Sequence, residues 1–471
     1  MKIENSWKSI FLQCKQKILL IFLKYKNIYF SFGVLFLVLL INSLEILSPT
    51  TQTWEWKSRS DFEDYYHASL RIRNHQSPYY EEKIEWFLNH QSELPSLLKE
   101  GNFQKLYDFL SQIKGIGTYL YPPLFGFLII PLTFFSYEVA GMVFQIFQLL
   151  ILGVSLWLLY QLAYQLGVRS KRKILRGILL SLVFTFPYLI QNSSNGNIGF
   201  FLIFFLVLTL NFFYYSKNFT LDFVLGVFVG FTMMIKIITG FIVLFFFIQR
   251  RYSVLLGTFL GIFLAIFLPS LYLGWEKNWE FFRFWYELIM GTYQEFGFVR
   301  PYTNNQSLSG ALGKLFLTFA DFKQHLYGLP LVPLSFETIK VLITSLNSFV
   351  LGVLLVLSFA FWIFSFKDQN LTLYYLYFLF LSALLTSGIS WYHTFGILIV
   401  AYFFYFLKHD EIHHGLFVFP SIFVWILMFL PYGVRDFFSI YSFFTWINFG
   451  IWIFLAFKLF GSITFVVKNQ T

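Results

Sequence analysis

The chain has 471 residues, of which 57% are hydrophobic and only 12% are charged, whereas soluble proteins have roughly 45–50% and about 25%. Because so much apolar surface has to face lipid, this composition excludes a soluble domain and predicts an all-α integral membrane protein with about 10–13 transmembrane helices. The net charge of +10 comes from Lys and Arg in short clusters between apolar runs, which indicates membrane topology and excludes nucleic acid as a partner.

The first apolar run covers residues 28–47 and follows an N-terminal segment with six lysines. At about 20 residues the run is long enough to span a bilayer, and no small-residue cleavage pattern follows it. We therefore expect a retained signal anchor that leaves residues 1–27 in the cytoplasm, because cytoplasmic segments carry an excess of Lys and Arg. The same orientation predicts one polytopic domain over residues 28–471, located in the inner or plasma membrane of the cell.

The longest polar stretch, residues 49–121, follows this anchor and is rich in charged and aromatic residues. We expect it to form the first external loop, and a loop of this length is usually functional. Within it, residues 81–112 place apolar side chains at roughly helical spacing. This pattern predicts amphipathic helices that lie on the membrane surface.

Basic residues recur between the later apolar runs and determine the predicted order of crossings. Clusters at 169–176, 217, 250–251, 367 and 408 should all be cytoplasmic. The simple crossings predicted from them are residues 174–191, 196–215, 252–273, 338–366, 371–389, 394–407, 415–431 and 438–460. The further external segments are then residues 191–196, the second large loop 274–306, and residues 390–393 and 432–436.

Two regions do not fit a simple count of crossings. Residues 221–248 begin and end beside cytoplasmic charge but carry Lys236 in the middle, so we expect two short crossings with a turn near this lysine. Such a turn is tolerated only where its backbone lines a protein or water-filled cavity. Residues 122–166 contain two apolar runs separated by Ser136-Tyr137-Glu138, and we expect one of these runs to be re-entrant.

An acidic and aromatic group lies near the start of the first external loop, where Asp61-Phe62-Glu63-Asp64 is followed by Tyr65-Tyr66. A carboxylate here can take a proton from an incoming hydroxyl, which is the task of a general base. The alternative interpretation, a solvated acidic surface after the anchor, is the commoner meaning of such spacing alone.

A series of short motifs gives the sequence a family resemblance. The motifs are, in chain order, Asp61 to Ala68 with Ser77-Pro78-Tyr79, Tyr121-Pro122-Pro123-Leu124, Asn195-Gly196-Asn197, Lys236, Asn305-Gln306-Ser307 and Ser390-Trp391-Tyr392-His393. In this order, the motifs resemble those of family 87 glycosyltransferases. Three features depart from that family's pattern: Asn197 replaces a usual Gln, no proline follows Lys236, and residues 80–119 form a longer loop.

The resemblance implies a GT-C-like transferase that moves a hexose such as mannose from a polyprenyl-phosphate sugar to a lipid or glycan acceptor at the external face. It implies that Asp61 is the catalytic base, with Asp64 and Glu63 as neighbours that could substitute for it or tune it. The expected reaction inverts the anomeric carbon, because the acceptor hydroxyl attacks while polyprenyl phosphate leaves on the opposite face. The sugar lipid is a substrate, so we expect no cofactor, and a single Asp61 without a clear carboxylate pair favours a metal-independent site.

Two cations are candidates for binding the phosphate of the donor. Lys236 and Arg300 could stabilise the negative charge that grows on the leaving phosphate, because a fixed cation acts strongly where water is partly excluded. A lysine inside an apolar segment is costly unless it is paired or functional, so a structural ion pair is the alternative for Lys236. For Arg300, which lies in the external loop, the alternative is a solvated charge.

The other candidates would bind the sugar or the acceptor. His393 could orient the acceptor or share its proton, and Trp391 could stack on a sugar ring or on isoprene, although an interfacial aromatic belt would also place them there. Asn305 and Gln306 offer amides to sugar hydroxyls, with helix capping at Ser307 as the alternative. The remaining candidate substrate-binding residues are Tyr65, Tyr66, Tyr121, Asn195 and Asn197.

Two other classes of membrane protein compete with the transferase. A transporter or a flippase for lipid-linked sugars would also have a dozen spans and charge within the membrane, but such sites usually lie at the midplane between repeated halves. Here the polar residues concentrate in external loops, and no internal repeat is visible. A non-catalytic assembly subunit would have no need of Lys236.

Overall fold

The computed structural model describes residues 28–44, 60–93, 112, 119–215, 218–291, 299–317, 331–364, 369–408 and 417–470. Within these ranges the chain forms helices and no strand, which confirms the expected all-α integral membrane protein. Five helices are long and apolar enough to cross a bilayer, and shorter apolar helices of 10–17 residues accompany them. The predicted cytoplasmic segment 1–27 and most of the loop after residue 93 lie outside the described residues.

The helices of these ranges are numbered here in chain order. In chain order, the α-helices are α1 (Ile28–Ser43), α2 (Asp61–Arg73), α3 (Glu81–His90), α4 (Pro123–Ile129), α5 (Tyr137–Gln165), α6 (Lys171–Asn195), α7 (Gly199–Tyr215), α8 (Phe219–Met233), α9 (Ile242–Ile248), α10 (Tyr252–Phe267), α11 (Ser270–Leu273), α12 (Trp275–Tyr286), α13 (Leu308–Phe316), α14 (Phe336–Phe364), α15 (Gln369–Thr386), α16 (Ile399–Lys408), α17 (Phe419–Phe429), α18 (Tyr432–Ile440) and α19 (Phe443–Gln470). Short 3₁₀ segments cover Gln91–Glu93, Ile130–Phe134, Ile237–Phe241 and Tyr392–Leu398, and a π-helical turn covers Glu287–Gly291.

Several helices begin at residues whose side chains cap the first turn. Ser60, Ser170, Asn218 and Ser307 each have extended backbone, and the side chain of each accepts a hydrogen bond from an amide of the following helix. Such caps satisfy backbone donors that have no partner within the helix. The cap at Ser307 is the one anticipated as the alternative role of the Asn-Gln-Ser motif.

Both irregular regions predicted from the sequence are present. The two apolar runs of residues 122–166 separate at Ser136, where α5 begins after the short Pro123–Phe134 segment. Residues 221–248 divide into α8 and the Ile237–Ile248 segment, and Lys236 lies between them with φ −149° and ψ 110°. Whether the Pro123–Phe134 segment is re-entrant stays a prediction.

Two predicted boundaries differ from the structure. Helix α6 continues to Asn195 although Pro187 lies inside it, so most of the predicted 191–196 loop is helical. Near the C-terminus, the predicted 432–436 loop belongs to helix α18, and α19 begins only at Phe443. Ser442 has a positive φ of 56°, and this turn separates two helices where hydropathy indicated one crossing from residue 438.

Helices α8 and α10 make the closest helix contact, through glycines with four-residue spacing. A Cβ at Gly226 would overlap the Val254 carbonyl oxygen, and one at Gly230 would overlap that of Thr258. Gly257 and Gly261 of α10 meet the backbone of α8 in the same way. The contacts advance in the same direction along both helices, so α8 and α10 run parallel with touching backbones, as small-residue motifs allow in membranes.

An ion pair joins the starts of the same two helices. Arg251 donates to both carboxylate oxygens of Asp222 at 2.6 and 2.9 Å, and it also donates to the Phe213 carbonyl at 2.9 Å. Asp222 is buried. The pair and the glycine contact together hold α8 rigidly, and α8 carries the chain up to Lys236.

Buried side chains form two large clusters. The first surrounds α6 and includes side chains of α7, α9, α15, α16 and α19. The second is rich in aromatic rings and joins α2, α4 and α12 to the beginning of α5. Ile198 and Ile235, the neighbours of Asn197 and Lys236, belong to this second cluster, so the aromatic cluster is where the predicted site residues can meet.

Candidate functional site

The N-terminus of α2 positions the acidic group of the first predicted loop. Ser60 caps the helix by accepting a hydrogen bond from the Glu63 amide at 3.1 Å, and Asp61 is the first helical residue. Phe62 is fully buried and packs on Phe144 at a ring distance of 4.8 Å. This anchor fixes the helix start, because Phe62 cannot leave the aromatic cluster without exposing its ring.

A tight turn between α6 and α7 presents Asn197 to the start of α2. The turn begins at Gly196, whose φ of 64° is the left-handed conformation that glycine adopts readily. The Asn192 side chain accepts a hydrogen bond from the Gly199 amide at 2.7 Å, and a Cβ at Gly199 would overlap that oxygen. Both glycines therefore suit the turn that brings Asn197 into the interior.

Asn197 connects the acidic helix start with a pair of tyrosines. Its Nδ2 donates to Asp61 Oδ2 at 2.7 Å and to the Tyr65 hydroxyl at 3.3 Å. The Tyr65 hydroxyl is in turn 2.9 Å from the Tyr121 hydroxyl. The amide thus uses both of its hydrogens to fix one oxygen of the half-buried Asp61 carboxylate and one phenol.

The segment that carries Tyr121 is held by hydrogen bonds to its backbone. Tyr79 donates to the Tyr121 carbonyl at 2.8 Å, and Trp285 Nε1 donates to the Leu120 carbonyl at 3.0 Å. The Tyr119 hydroxyl accepts from the Gly126 amide at 2.7 Å. Tyr79 and Tyr119 are both buried, so the Tyr-Pro-Pro motif forms a rigid wall beside Asp61.

Lys236 supplies the positive charge of the site. Its amide donates to the Thr232 carbonyl at 2.9 Å, and its carbonyl accepts from the amide and the hydroxyl of Thr239, each at 3.0 Å. Burial raises the pKa of Asp61 above the usual aspartate value, while the Asn197 hydrogen bond and the nearby Lys236 charge lower it. The side chains of Asp61 and Lys236 therefore lie within electrostatic range of each other.

The Ser-Trp-Tyr-His motif brings two further predicted residues near Lys236. His393 is buried and lies within range of the Lys236 charge, and its ring is 5.8 Å from that of Trp391. Both residues lie where the chain enters the 3₁₀ segment Tyr392–Leu398. The structure thus brings seven of the predicted residues into one neighbourhood, namely Asp61, Tyr65, Tyr121, Asn197, Lys236, Trp391 and His393.

Asn305 and Gln306 are committed to neighbouring protein groups instead. Asn305 Nδ2 donates to the carbonyls of Arg300 and Gly388, each at 2.9 Å, and its Oδ1 accepts from the amides of Ser307 and Ser390. The Gln306 side chain is fully buried and bonds to Thr303 and Thr445. These amides hold the 299–307 loop against the motif that carries Trp391 and His393, so their contacts favour positioning over sugar binding.

The other predicted residues lie around this neighbourhood. Asp64 is near enough to Tyr65 and Tyr121 to raise the pKa of the Tyr121 hydroxyl, although less than burial and Asp61 do. Tyr66 donates to the Phe135 carbonyl at 2.9 Å and packs on Tyr137, so it supports the start of α5.

Asn195 is the last residue of α6 and is half-buried, and Arg300 lies in the 299–307 loop, where its carbonyl accepts from Asn305. Their roles in substrate binding stay predictions. In the described part of the chain, no three His, Cys, Asp or Glu side chains form a group that could hold a metal ion, and metal independence stays a prediction as well.

Sequence reasoning missed Lys314, which is fully buried in α13. Its Nζ donates to the carbonyls of Thr303, Asn305 and Ser439 at 3.1, 2.8 and 2.8 Å. A buried ammonium group needs such partners, and the three carbonyls join the 299–307 loop to the end of α18. The sequence does contain a sign of this role, because Lys314 is a lysine among the apolar residues of a short helix.

Comparison with known proteins gives one match. The family model described as glycosyltransferase family 87 matches residues 119–388, more than half of the chain. This region includes Tyr121, Asn197 and Lys236, whereas Asp61 lies before it and His393 after it. No curated protein matches the chain, and no solved structure matches it.

Proposed function

Because the chain belongs to glycosyltransferase family 87, we propose that this membrane glycosyltransferase uses Asp61 and Lys236 to transfer a hexose, such as mannose, from a polyprenyl-phosphate sugar. The acceptor is the hydroxyl of a lipid or glycan at the external face of the inner or plasma membrane, and the fold is of the GT-C type. The observation that carries the proposal is the Asp61 carboxylate, which Asn197 holds at 2.7 Å within electrostatic range of Lys236.

The Asp61 carboxylate acts as the general base. It takes the proton of the acceptor hydroxyl while the acceptor oxygen forms a bond to the anomeric carbon, and the bond from that carbon to the phosphate oxygen breaks. The attack and the departure occur on opposite faces, so the configuration inverts. Asn197 holds Oδ2 and leaves the other carboxylate oxygen for the acceptor, which supports Asp61 rather than Asp64 as the base.

Lys236 acts on the leaving group. When the anomeric bond breaks, polyprenyl phosphate gains negative charge. The ammonium group of Lys236, in the turn that follows the rigid helix α8, stabilises that charge without reorganising. The parallel contact between α8 and α10 provides the rigidity. Arg300 is the second cation of the proposal, from the 299–307 loop.

The transporter or flippase alternative also predicts charge between short helices. Family membership supports the transferase instead, and so does the arrangement of the charges. A carboxylate oriented by an amide at a helix start suits proton abstraction, whereas a flippase needs an alternating path for its cargo.

The deciding experiment is a transfer assay with the purified protein in lipid nanodiscs. We expect radiolabelled mannose to move from polyprenyl-phosphate mannose to endogenous membrane lipids or glycans, and no transfer to occur from GDP-mannose. Mass analysis of the product identifies the acceptor class. Transfer from the nucleotide sugar, or transport of the sugar lipid without transfer, would contradict the proposal.

Labelling of single cysteines at positions 61 and 393 tests the shared external face. Labelling of the two positions from opposite sides of the membrane would contradict it.

A further inference from the structure

Three buried polar atoms of the site have no hydrogen-bond partner among the residues that the structure describes. They are Asn197 Oδ1, His393 Nδ1 and Trp391 Nε1. Asn197 and His393 are only 4% and 5% exposed. Buried polar groups of native proteins are nearly always paired, because an unpaired one loses its bonds to water without replacement. Three such atoms in one neighbourhood therefore point to a polar ligand.

The three atoms belong to residues that neighbour the two charges of the proposed reaction. Asn197 is bonded to Asp61, and His393 lies within range of the Lys236 charge. Trp391 is next to His393, at a ring distance of 5.8 Å. The unpaired atoms thus lie on residues that neighbour Asp61 or Lys236.

The chemistry of the atoms is complementary to hydroxyl groups. Asn197 Oδ1 can only accept a hydrogen bond, because an amide oxygen carries no hydrogen, and the Nδ2 hydrogens of this amide are donated to Asp61 and Tyr65. Trp391 Nε1 can only donate, and His393 Nδ1 can donate or accept according to its tautomer. All three atoms can be satisfied by a group that both donates and accepts hydrogen bonds. A hydroxyl does both, whereas a carbonyl only accepts and an ammonium group only donates.

We propose that Asn197, Trp391 and His393 form a subsite that binds the hydroxyls of the transferred sugar ring. This inference rests on the proposed function, since inversion requires the anomeric carbon to lie between the attacking oxygen at Asp61 and the leaving phosphate at Lys236. The ring that carries this carbon then lies within reach of residues that neighbour both charges. The indole of Trp391 also offers an apolar face to the ring, as aromatic side chains commonly do.

The test compares variants with donors that lack single hydroxyls. Wild type and Trp391→Phe are assayed for kcat/KM and donor Kd with polyprenyl-phosphate mannose and with each of its monodeoxy forms. We expect at least one monodeoxy donor to lose about 10-fold in wild type, as the loss of a buried hydrogen bond predicts. Trp391→Phe should lose a similar factor with the complete donor and little more with that deoxy donor.

A second variant pair separates hydrogen bonding from packing. The amide of asparagine can occupy the place of Nδ1, so His393→Asn should retain more donor affinity than His393→Gln. The matched control is Trp425→Phe, which removes an indole bonded to the Val183 carbonyl at 2.8 Å and outside the predicted site. In this control, each deoxy donor should lower kcat/KM by the same factor as in wild type.

The outcomes distinguish the two proposals. Suppose that removing any donor hydroxyl lowers kcat/KM by the same factor in Trp391→Phe and in both His393 variants as in wild type. The three atoms then bind water or support the fold, and the subsite is wrong while the transferase stands. If wild type neither binds nor uses any polyprenyl-phosphate sugar, the proposed function fails and the subsite fails with it. Non-multiplicative losses at one hydroxyl would establish the subsite.

Discussion

Replacement of Asp61 by Asn tests the catalytic base most directly. The amide has nearly the shape of the carboxylate, and its Oδ1 can still accept the hydrogen bond that Asn197 donates at 2.7 Å. The start of α2 should therefore be preserved, since Ser60 still caps the helix and Phe62 still anchors it. What the variant loses is the ability to take a proton.

The expected loss follows from the proton transfer alone. General-base catalysis typically contributes 10²–10⁴-fold, so turnover of Asp61→Asn should fall by about that factor, which corresponds to roughly 2.7–5.5 kcal/mol of activation free energy. Affinity for the donor should not weaken, because the substitution removes a negative charge that faces Lys236 and leaves this lysine for the donor phosphate. A large decrease in kcat with an unchanged or lower donor Kd is the predicted signature.

The assay measures transfer from a radiolabelled polyprenyl-phosphate sugar in membranes with matched protein content, with donor binding measured alongside. Asp64→Asn is the control, because Asn197 holds Asp61 and not Asp64, and it should lose less. Near-normal turnover of Asp61→Asn beside inactive Asp64 or Glu63 variants would mean that the base is misassigned within the loop. If all three variants stay active, the reasoning about the mechanism is refuted.

Three further predictions concern the charges and the helix contact. Lys236→Ala should weaken donor binding about 10-fold or more, as the loss of a hydrogen bond to a charged group predicts, and Lys236→Arg should weaken it less; equal donor titrations would make the lysine structural. Gly230→Ala should lower the unfolding temperature because its Cβ overlaps the facing backbone, whereas Gly153→Ala, with nothing within 4 Å, should leave it unchanged or raise it. Because the base must be ionised, kcat/KM should fall as pH falls through the raised pKa of Asp61. Asn197→Ala removes a hydrogen bond that lowers this pKa, so the acid limb of its pH profile should move to higher pH. An acid limb at the wild-type pH would mean that Asn197 does not act on the base.

Hydropathy and charge predicted the helices well because each crossing is decided by its own composition. The breaks at Ser136 and Lys236 were visible for the same reason, as polar residues interrupt apolar runs there. The helix boundary at Phe443 could not be predicted, because the turn at Ser442 lies in an apolar stretch without a charged residue or a glycine at the turn.

The candidate site depends on which hydrogen-bond partner each polar side chain finds, and the sequence does not specify these partners. Asn197 and Asn305 look alike as polar residues between helices, yet one bonds to Asp61 and the other to four backbone groups. An asparagine amide can satisfy a side chain, a backbone or a ligand equally well, so only the fold distinguishes these roles. The glycine spacing of α8 and α10 was available in the sequence, because Gly-x-x-x-Gly is a known packing signal.

The shortness of the helices on both sides of Lys236 has a consequence for the surrounding lipid. Helix α8 has 15 residues, and at 1.5 Å per residue it reaches only about 22 Å, whereas the hydrocarbon core of a bilayer is about 30 Å thick. A bilayer that is thinner beside α8 accommodates a helix of this length. Thinning brings the lipid phosphates closer to Lys236, so a thinner bilayer should favour access of a phosphate-linked donor.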